Sequence, residues 1–183
     1  MSYVAEEFEV NGNKVAIIAD EDAERPDLAM DQLGTITYKK GARTVLGYES
    51  LETEEMEAIF NNTREYIALP VYAYIHSSIA LNTTGFSCPW DSGQSGIIYV
   101  SRQKIREEFG VKLISPKLKA KVEDILRSEV ETFSMYLEGD VWGYVVTDPE
   151  GEEIESCWGF YGMEYCKEEA TAIAESHQEA ISA

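Results

Sequence analysis

The chain opens with two β-prone apolar runs, residues 3–10 and 14–19, set around Asn11-Gly12-Asn13. An Asn-Gly between such runs predicts a hairpin. Asp20 to Asp31 is acidic, contains Pro26 and reads as a loop. Leu33 to Tyr38 reads as a short strand, and Lys39 to Tyr48, broken by Gly41 and Gly47, as irregular. Thr53 is placed to cap a helix over about 54–62. Glu54, Glu55 and Glu57 fall in its first turns, where the helix dipole favours negative charge, and Met56, Ile59 and Phe60 recur at helical spacing. Leu69 to Ile75 and Ile97 to Val100 read as strands, with Pro70 confined to a strand start or an edge. Ser101 caps a helix ending at Gly110, a residue suited to the position just past a helix end.

Ser115-Pro116 begins the clearest helix. Leu118, Val122, Ile125, Leu126, Val130, Phe133 and Leu137 share one face at 3.6-residue spacing, while Lys117, Lys119 and Lys121 fall on the solvent side. Val141 to Thr147 and Ile154 to Tyr161 flank Asp148-Pro149-Glu150-Gly151, a type I turn signature that predicts a second hairpin. The alanine-rich stretch 164–181 predicts a closing helix. With no repeat, linker or low-complexity segment, the pattern predicts a single α+β domain over 1–183. It is mainly antiparallel sheet, with an N-terminal and a C-terminal hairpin and about four helices.

The second hairpin carries a prediction about faces. With a four-residue turn, Thr147 pairs with Glu152 and Trp142 with Cys157. Val141, Gly143, Val145, Ile154, Ser156 and Trp158 then face the core. Trp142, Tyr144, Val146, Glu153, Glu155 and Cys157 share the other face, an aromatic patch beside carboxylates that suits a protein interface. A one-residue slip reverses the faces, and a helix covering the hairpin removes the patch.

Composition changes the picture mainly through charge. The 183 residues include 34 acids and 15 bases, a formal net charge of -19. A hydrophobic fraction of 44% and 20 aromatics argue against disorder. Such a charge repels a polyanion and lacks the cations that DNA binding needs, so direct DNA binding by the acidic surface is excluded. A basic partner, mimicry of nucleic acid, or solubility remain. The charge is also uneven. Ser101 to Ser128 holds eight bases against four acids, a net of +4, which leaves -23 for the remainder. These Lys-rich helices either pair with the acids internally or make a local contact with RNA. Three cysteines and an N-terminus without an apolar run of signal length point to a reducing, cytoplasmic setting. No apolar stretch approaches the ~20 residues of a membrane helix.

Chemistry is densest between Thr83 and Gly96, a long loop rich in polar, glycine and aromatic residues in which Phe86 and Trp90 would pin the chain to the core. Cys88 as nucleophile, His76 as base and Asp91 as orienting acid form a candidate catalytic set; a small buried Cys88 and a strand-end His76 are the plainer alternative. Phe86, Trp90, Asp91 and Gln94 are the candidate binding residues of this loop. Gly93-Gln94-Ser95-Gly96 matches neither a serine-nucleophile elbow nor a phosphate loop. With no Cys-x-x-Cys and only His76 and His177, no metal site and no cofactor are expected.

Several blocks together resemble a known family. They are Met30-Asp31-Gln32-Leu33-Gly34-Thr35, similar to a "DNLGT" block, and Leu69 to Tyr74, then His76-Ser77. Phe86-Ser87-Cys88-Pro89-Trp90-Asp91-Ser92-Gly93-Gln94, Gly96 and Ile98-Tyr99-Val100 follow. The series ends with Arg106 to Gly110, Gly139-Asp140-Val141 and Cys157-Trp158-Gly159-Phe160-Tyr161-Gly162. Over roughly residues 28–170 the chain resembles a widespread family of small phage, plasmid and gut-bacterial proteins that includes inhibitors of type II CRISPR effectors. The FSCPWDSGQ block is its most specific mark. Asp31-Gln32 departs from the first block, and Ile36 to Lys39 replaces a histidine- and tryptophan-containing stretch, so no ligand role carries over there. The resemblance implies an anti-defence protein acting in a host bacterial cell. It would bind a basic nucleic-acid-guided nuclease, such as a CRISPR nuclease, without catalysis. A small enzyme or ligand-binding protein centred on the 83–96 loop, or an accessory structural domain, are the competing expectations.

Overall fold

The computed structural model of the chain describes residues 3–41, 49–88 and 90–182, the last five as backbone only. In chain order its elements are β1 (Val4–Val10), β2 (Asn13–Ala19), α1 (Pro26–Ala29), β3 (Thr35–Lys39), β4 (Glu49–Leu51), α2 (Thr53–Asn61), β5 (Tyr66–Ile75), β6 (Ile79–Asn82) and β7 (Ser92–Ser101). They continue with α3 (Arg102–Glu108), α4 (Pro116–Glu138), β8 (Val141–Thr147), β9 (Glu153–Tyr161) and α5 (Met163–Ser182). The chain is α+β. The helix beyond the four expected is α1, a single turn inside the acidic stretch that reads as a loop. Residues 42–48 of the irregular stretch, Gly47 among them, and Pro89 lie outside the described residues. The short strands β4 and β6 carry no sequence signal of their own.

The strands divide between two sheets, ordered β1-β2-β8-β9 and β4-β3-β7-β5-β6. The chain divides likewise into two compact units. A terminal unit takes Met1–Pro26 and Met135–Ala183, and a central unit takes Asp27–Ser134.

In the terminal unit all strand pairs are antiparallel. The first hairpin forms as its turn demands: Asn11 and Gly12 have φ of 54° and 88°, the positive values of a two-residue type I′ loop, and Val10 pairs with Asn13. Helix α5 lies on one face of the sheet. Cys166, Ala170 and Ala174 recur every four residues, and their small side chains let the helix approach Val15, Ile17, Tyr144 and Val146 closely. Val15 and Ile17 are fully buried, each contributing roughly 1.5–3 kcal/mol. The buried Asn13 amide donates to Ala174 O at 2.9 Å, and Asp140 Oδ1 caps the start of α5 by accepting from Met163 N at 3.3 Å.

In the central unit β3 and β4 are parallel and the other pairs antiparallel. One sheet face carries Ile36, Ile98, Ile67 and Val71, all buried, as are Val122, Leu126, Val130 and Phe133 of α4. The expected stripe of α4 is thus the buried one, and Lys117, Lys119 and Lys121 are exposed. Ser101 Oγ accepts from Lys104 N at 3.1 Å and Ser115 Oγ from Leu118 N at 3.2 Å, so both serines act at helix starts as expected. The cap of α2 is Glu52 rather than Thr53; its amide donates to Glu55 at 2.9 Å, and Thr53 is the first helical residue. Strand β5 runs longer than expected, and Pro70 sits inside it. Since β6 pairs only with Tyr72 to Ile75, that half of β5 is an edge on the β6 side, which accommodates a residue lacking an N–H.

Two positions hold the central sheet by close approach. A Cβ on Gly96 would stand 1.9 Å from Thr37 O, so β3 and β7 can only pair here across a glycine. A Cβ on Gly34 would meet Leu126 at 2.5 Å and Glu129 Oε2 at 2.7 Å. The Glu129 carboxylate instead accepts from Leu33 N at 2.5 Å and Gly34 N at 2.8 Å, tying α4 to the entry of β3. Burial raises the Glu129 pKa, outweighing those two backbone bonds and the nearby Lys104 cation, which lower it.

Candidate functional site

Because β6 ends at Asn82 and β7 begins at Ser92, the long loop is confined to 83–91, and Gln94 and Ser95 belong to a strand. Asn82 organises the loop start. Its Oδ1 accepts from Thr84 N at 3.1 Å and Gly85 N at 2.7 Å, and its Nδ2 donates to Gly85 O at 3.0 Å. Phe86 packs on Tyr74 with ring centroids 5.7 Å apart, anchoring the loop as expected. Trp90 does not. It is 91% exposed.

Cys88 Sγ lies 3.6 Å from Asp91 Oδ2, and Ser92 Oγ donates to Cys88 O. Asp91 O in turn accepts from Ile75 N at 2.9 Å. The candidate catalytic residues are therefore brought together only in part. The carboxylate meets the thiol itself, which must then be the donor, whereas nucleophilic catalysis needs the base to take that proton and the acid to orient the base. The exposed His76 has its ring beside Tyr74 at 6.4 Å, and among the described residues no hydrogen bond joins its imidazole to Cys88 or Asp91. Trp90, Asp91 and Gln94 do converge: with Lys39, Ala73 and Ile75 they line an open depression of about 270 Å³. Gln94 also borders a groove of about 450 Å³ between α2 and the sheet, with Met56, Phe60, Pro70, Tyr72 and Ile97. That groove carries no sequence motif. Its one trace is Phe60, at helical spacing from Met56 yet 41% exposed.

The second hairpin corrects the predicted faces. The turn forms, with Gly151 N donating to Asp148 O at 3.0 Å, but Gly151 adopts φ 89° and adds a residue to the loop. Thr147 consequently pairs with Glu153 rather than Glu152. Further irregularities follow between Val146 and Thr147 and between Trp142 and Tyr144, the second at Gly159 with φ 83°, so Trp142 pairs with Phe160 rather than Cys157. From Tyr144 to Val146 the shift is two residues, so Cys157 and Glu155 stay on the face of Tyr144 and Val146. The prediction fails because α5 covers that face, which carries Trp142, Tyr144 and Val146 of β8 with Ile154 and Phe160 of β9. Tyr144 is only 3% exposed, and its hydroxyl donates to Glu155 at 3.0 Å; burial, then this bond, push its phenol pKa up. The half-buried Trp142 donates its indole N–H to Asp140. Tyr144 is therefore not a surface residue. Glu153 and Glu155 stay exposed, as does Trp158 at 46%, lying across Gly143 where a Cβ would come within 2.3 Å of its ring.

Charge is partitioned between the units. The terminal unit holds 19 acids and 3 bases, a net of -16, and the central unit 15 acids and 12 bases, a net of -3. The cationic stretch of α3 and α4 is partly paired within itself, Lys119 with Glu123 at 3.4 Å and Arg127 with Asp124 at 3.3 Å, and Lys121 stands 5.2 Å over the Phe109 ring. Among the described residues no three His, Cys, Asp or Glu side chains are arranged to hold a metal ion, and no helix is long and apolar enough to cross a membrane. Comparison with known protein families, curated proteins and solved structures finds no match for the chain.

Proposed function

We propose that this is an acidic anti-defence protein that binds a basic, nucleic-acid-guided nuclease of the type II CRISPR kind and inhibits it without catalysis. The observation that carries the reading is the net charge of -16 gathered in one compact unit. Nucleases of this kind hold nucleic acid in positively charged channels, and a folded anion of this density competes for them. The resemblance of the Phe86 to Gln94 block to a family from mobile elements supports the same reading. Charge-driven association weakens with salt. Purified protein added to a guide-loaded type II nuclease is expected to reduce target cleavage in proportion to dose, more strongly at low salt. Undiminished cleavage at large molar excess, across several defence nucleases, overturns the proposal.

A second reading has one observation in its favour. Trp90, Asp91 and Gln94 converge on a single depression beside β7, as a small-ligand site requires. A small molecule carried by the as-purified protein, lost in Asp91→Ala at unchanged melting temperature, would select it over nuclease binding.

A further inference from the structure

The sheet of the terminal unit ends in two edge strands, β1 and β9. An edge presents unpaired N–H and C=O groups that template another strand unless they are covered, bulged or charged. The two edges differ. On β1 two of the three acids are matched by cations, Glu7 by Lys14 at 3.0 Å and Glu6 by Lys167 at 2.6 Å, and Tyr3 O, beside its start, accepts from Ala19 N. On β9 the carboxylates meet hydroxyls only, Glu153 that of Ser156 at 2.8 Å and Glu155 that of Tyr144 at 3.0 Å; among the described residues neither is ion-paired. Beyond the ladder to β8, the one further contact to the backbone of Glu153–Trp158 among the described residues is Cys157 Sγ, 3.9 Å from Trp158 O. At the next residue the Gly159 amide donates to Asp20 Oδ2 at 3.1 Å. Residues 155–159 are exposed one after another, on both faces of the strand.

We propose that β9, over Glu153–Trp158, receives an extended basic segment of a partner protein as a fifth strand of this sheet. Pairing of backbone groups supplies the affinity in such additions, and the alternating side chains supply the selection. Glu153 and Trp158 lie on the face away from α5, and Glu155 on the α5 side. In a strand of alternating cations and apolar residues the cations share one face, so they meet Glu155 while the apolar residues lie toward the exposed indole of Trp158, or, with the strand turned over, they meet Glu153. A second copy of the chain is disfavoured as occupant, because β9 against β9 sets two bodies of 19 acids and 3 bases against each other. The inference rests on the reading of the protein as a ligand of a basic partner and gives that binding a surface and a mode.

The probe is the peptide acetyl-Lys-Val-Lys-Val-Lys-Val-amide, titrated into the full chain at low salt, with amide hydrogen exchange followed in the bound state. Binding is expected with slowed exchange at alternate amides of Glu153–Trp158 and not in β1. A peptide of equal charge with its central Val replaced by Pro is expected to bind at least about tenfold more weakly, a loss of about 1.4 kcal/mol. The double variant Glu153→Lys, Glu155→Lys is expected to lose at least as much. Equal binding of the proline peptide, protection in β1 or nowhere in the sheet, or self-association through β9 overturns the inference. The proline arm uses the unaltered chain, so it decides even if the double variant folds poorly. A nuclease that is inhibited while β9 stays unprotected removes this inference and leaves the proposed function. Peptide pairing without any nuclease inhibition supports this inference and removes the proposed function.

Discussion

The two units are built by the same means and charged in opposite style. Each lays a helix on one sheet face: in the terminal unit α5 covers Val15, Ile17 and Tyr144, and in the central unit α4 carries the buried stripe that includes Leu126, against which the Gly34 entry to β3 packs. Yet the terminal unit holds 19 acids to 3 bases and the central unit 15 to 12. Net charge far from zero works against a compact state through self-repulsion. The central unit builds its core with its 15 acids nearly balanced by 12 bases. In the central unit part of the acidity is used internally, as in the contacts of Glu129 with Leu33 and Gly34.

The comparison breaks most sharply at Gly96. Its Cβ would stand 1.9 Å from a backbone oxygen, so Gly96→Ala is expected to cost on the order of 3 kcal/mol or more, with amide protection lost in β3 and β7 while β2 and β8 keep theirs. Uniform loss in both sheets would show that the units do not unfold separately. In the terminal unit, Tyr144→Ala empties the space under α5 and is expected to cost about 3 kcal/mol by denaturant unfolding. A near-neutral result would mean that Tyr144 is not the core residue its burial indicates.

Glu129→Gln tests the internal use of charge. One of the two backbone donors then faces an amide donor, and a loss of about 1–2 kcal/mol is expected. The pH dependence has a definite sign. The folded Glu129 pKa lies above its ordinary value of 4.5, so the group's contribution is most favourable below that value and is lost as pH rises through the raised folded value. The central unit of the variant should lack this part of the pH profile. A smaller effect separates the units by salt. Between about 0.05 and 0.5 M the screening length falls severalfold, and exchange protection should rise by a few tenths of a kcal/mol in the terminal unit and hardly move in the central one. The smallest effect belongs to Trp90→Ala, expected within about 0.5 kcal/mol because the side chain is 91% exposed. A larger loss would restore it as an anchor of the loop.

Elements defined by neighbours in the chain were legible from sequence. The Asn11-Gly12 turn, the helix starts at Ser101 and Ser115-Pro116, the stripe of α4 and the turn at Asp148 all depend on residues within a few positions of one another, and all form. Of the candidate site, Phe86 anchors the loop and Trp90, Asp91 and Gln94 converge as grouped, because they are close in sequence. His76 and Cys88 are separated by a strand and a loop, and no local rule places them together.

Sequence by itself thus determined the turn positions, the helix starts at Ser101 and Ser115, the stripe of α4 and the total charge. Tertiary structure alone decided which face of β8 is buried, since the packing of Cys166, Ala170 and Ala174 of α5 is what covers Tyr144 and Val146. It decided too that the strands form two sheets, that Gly96 is required by the approach of β3, and that -16 of the charge falls on one unit. The physical reason is common to all four. Each depends on which distant segments pack together, and that is settled by burial and strand pairing between residues far apart in the chain.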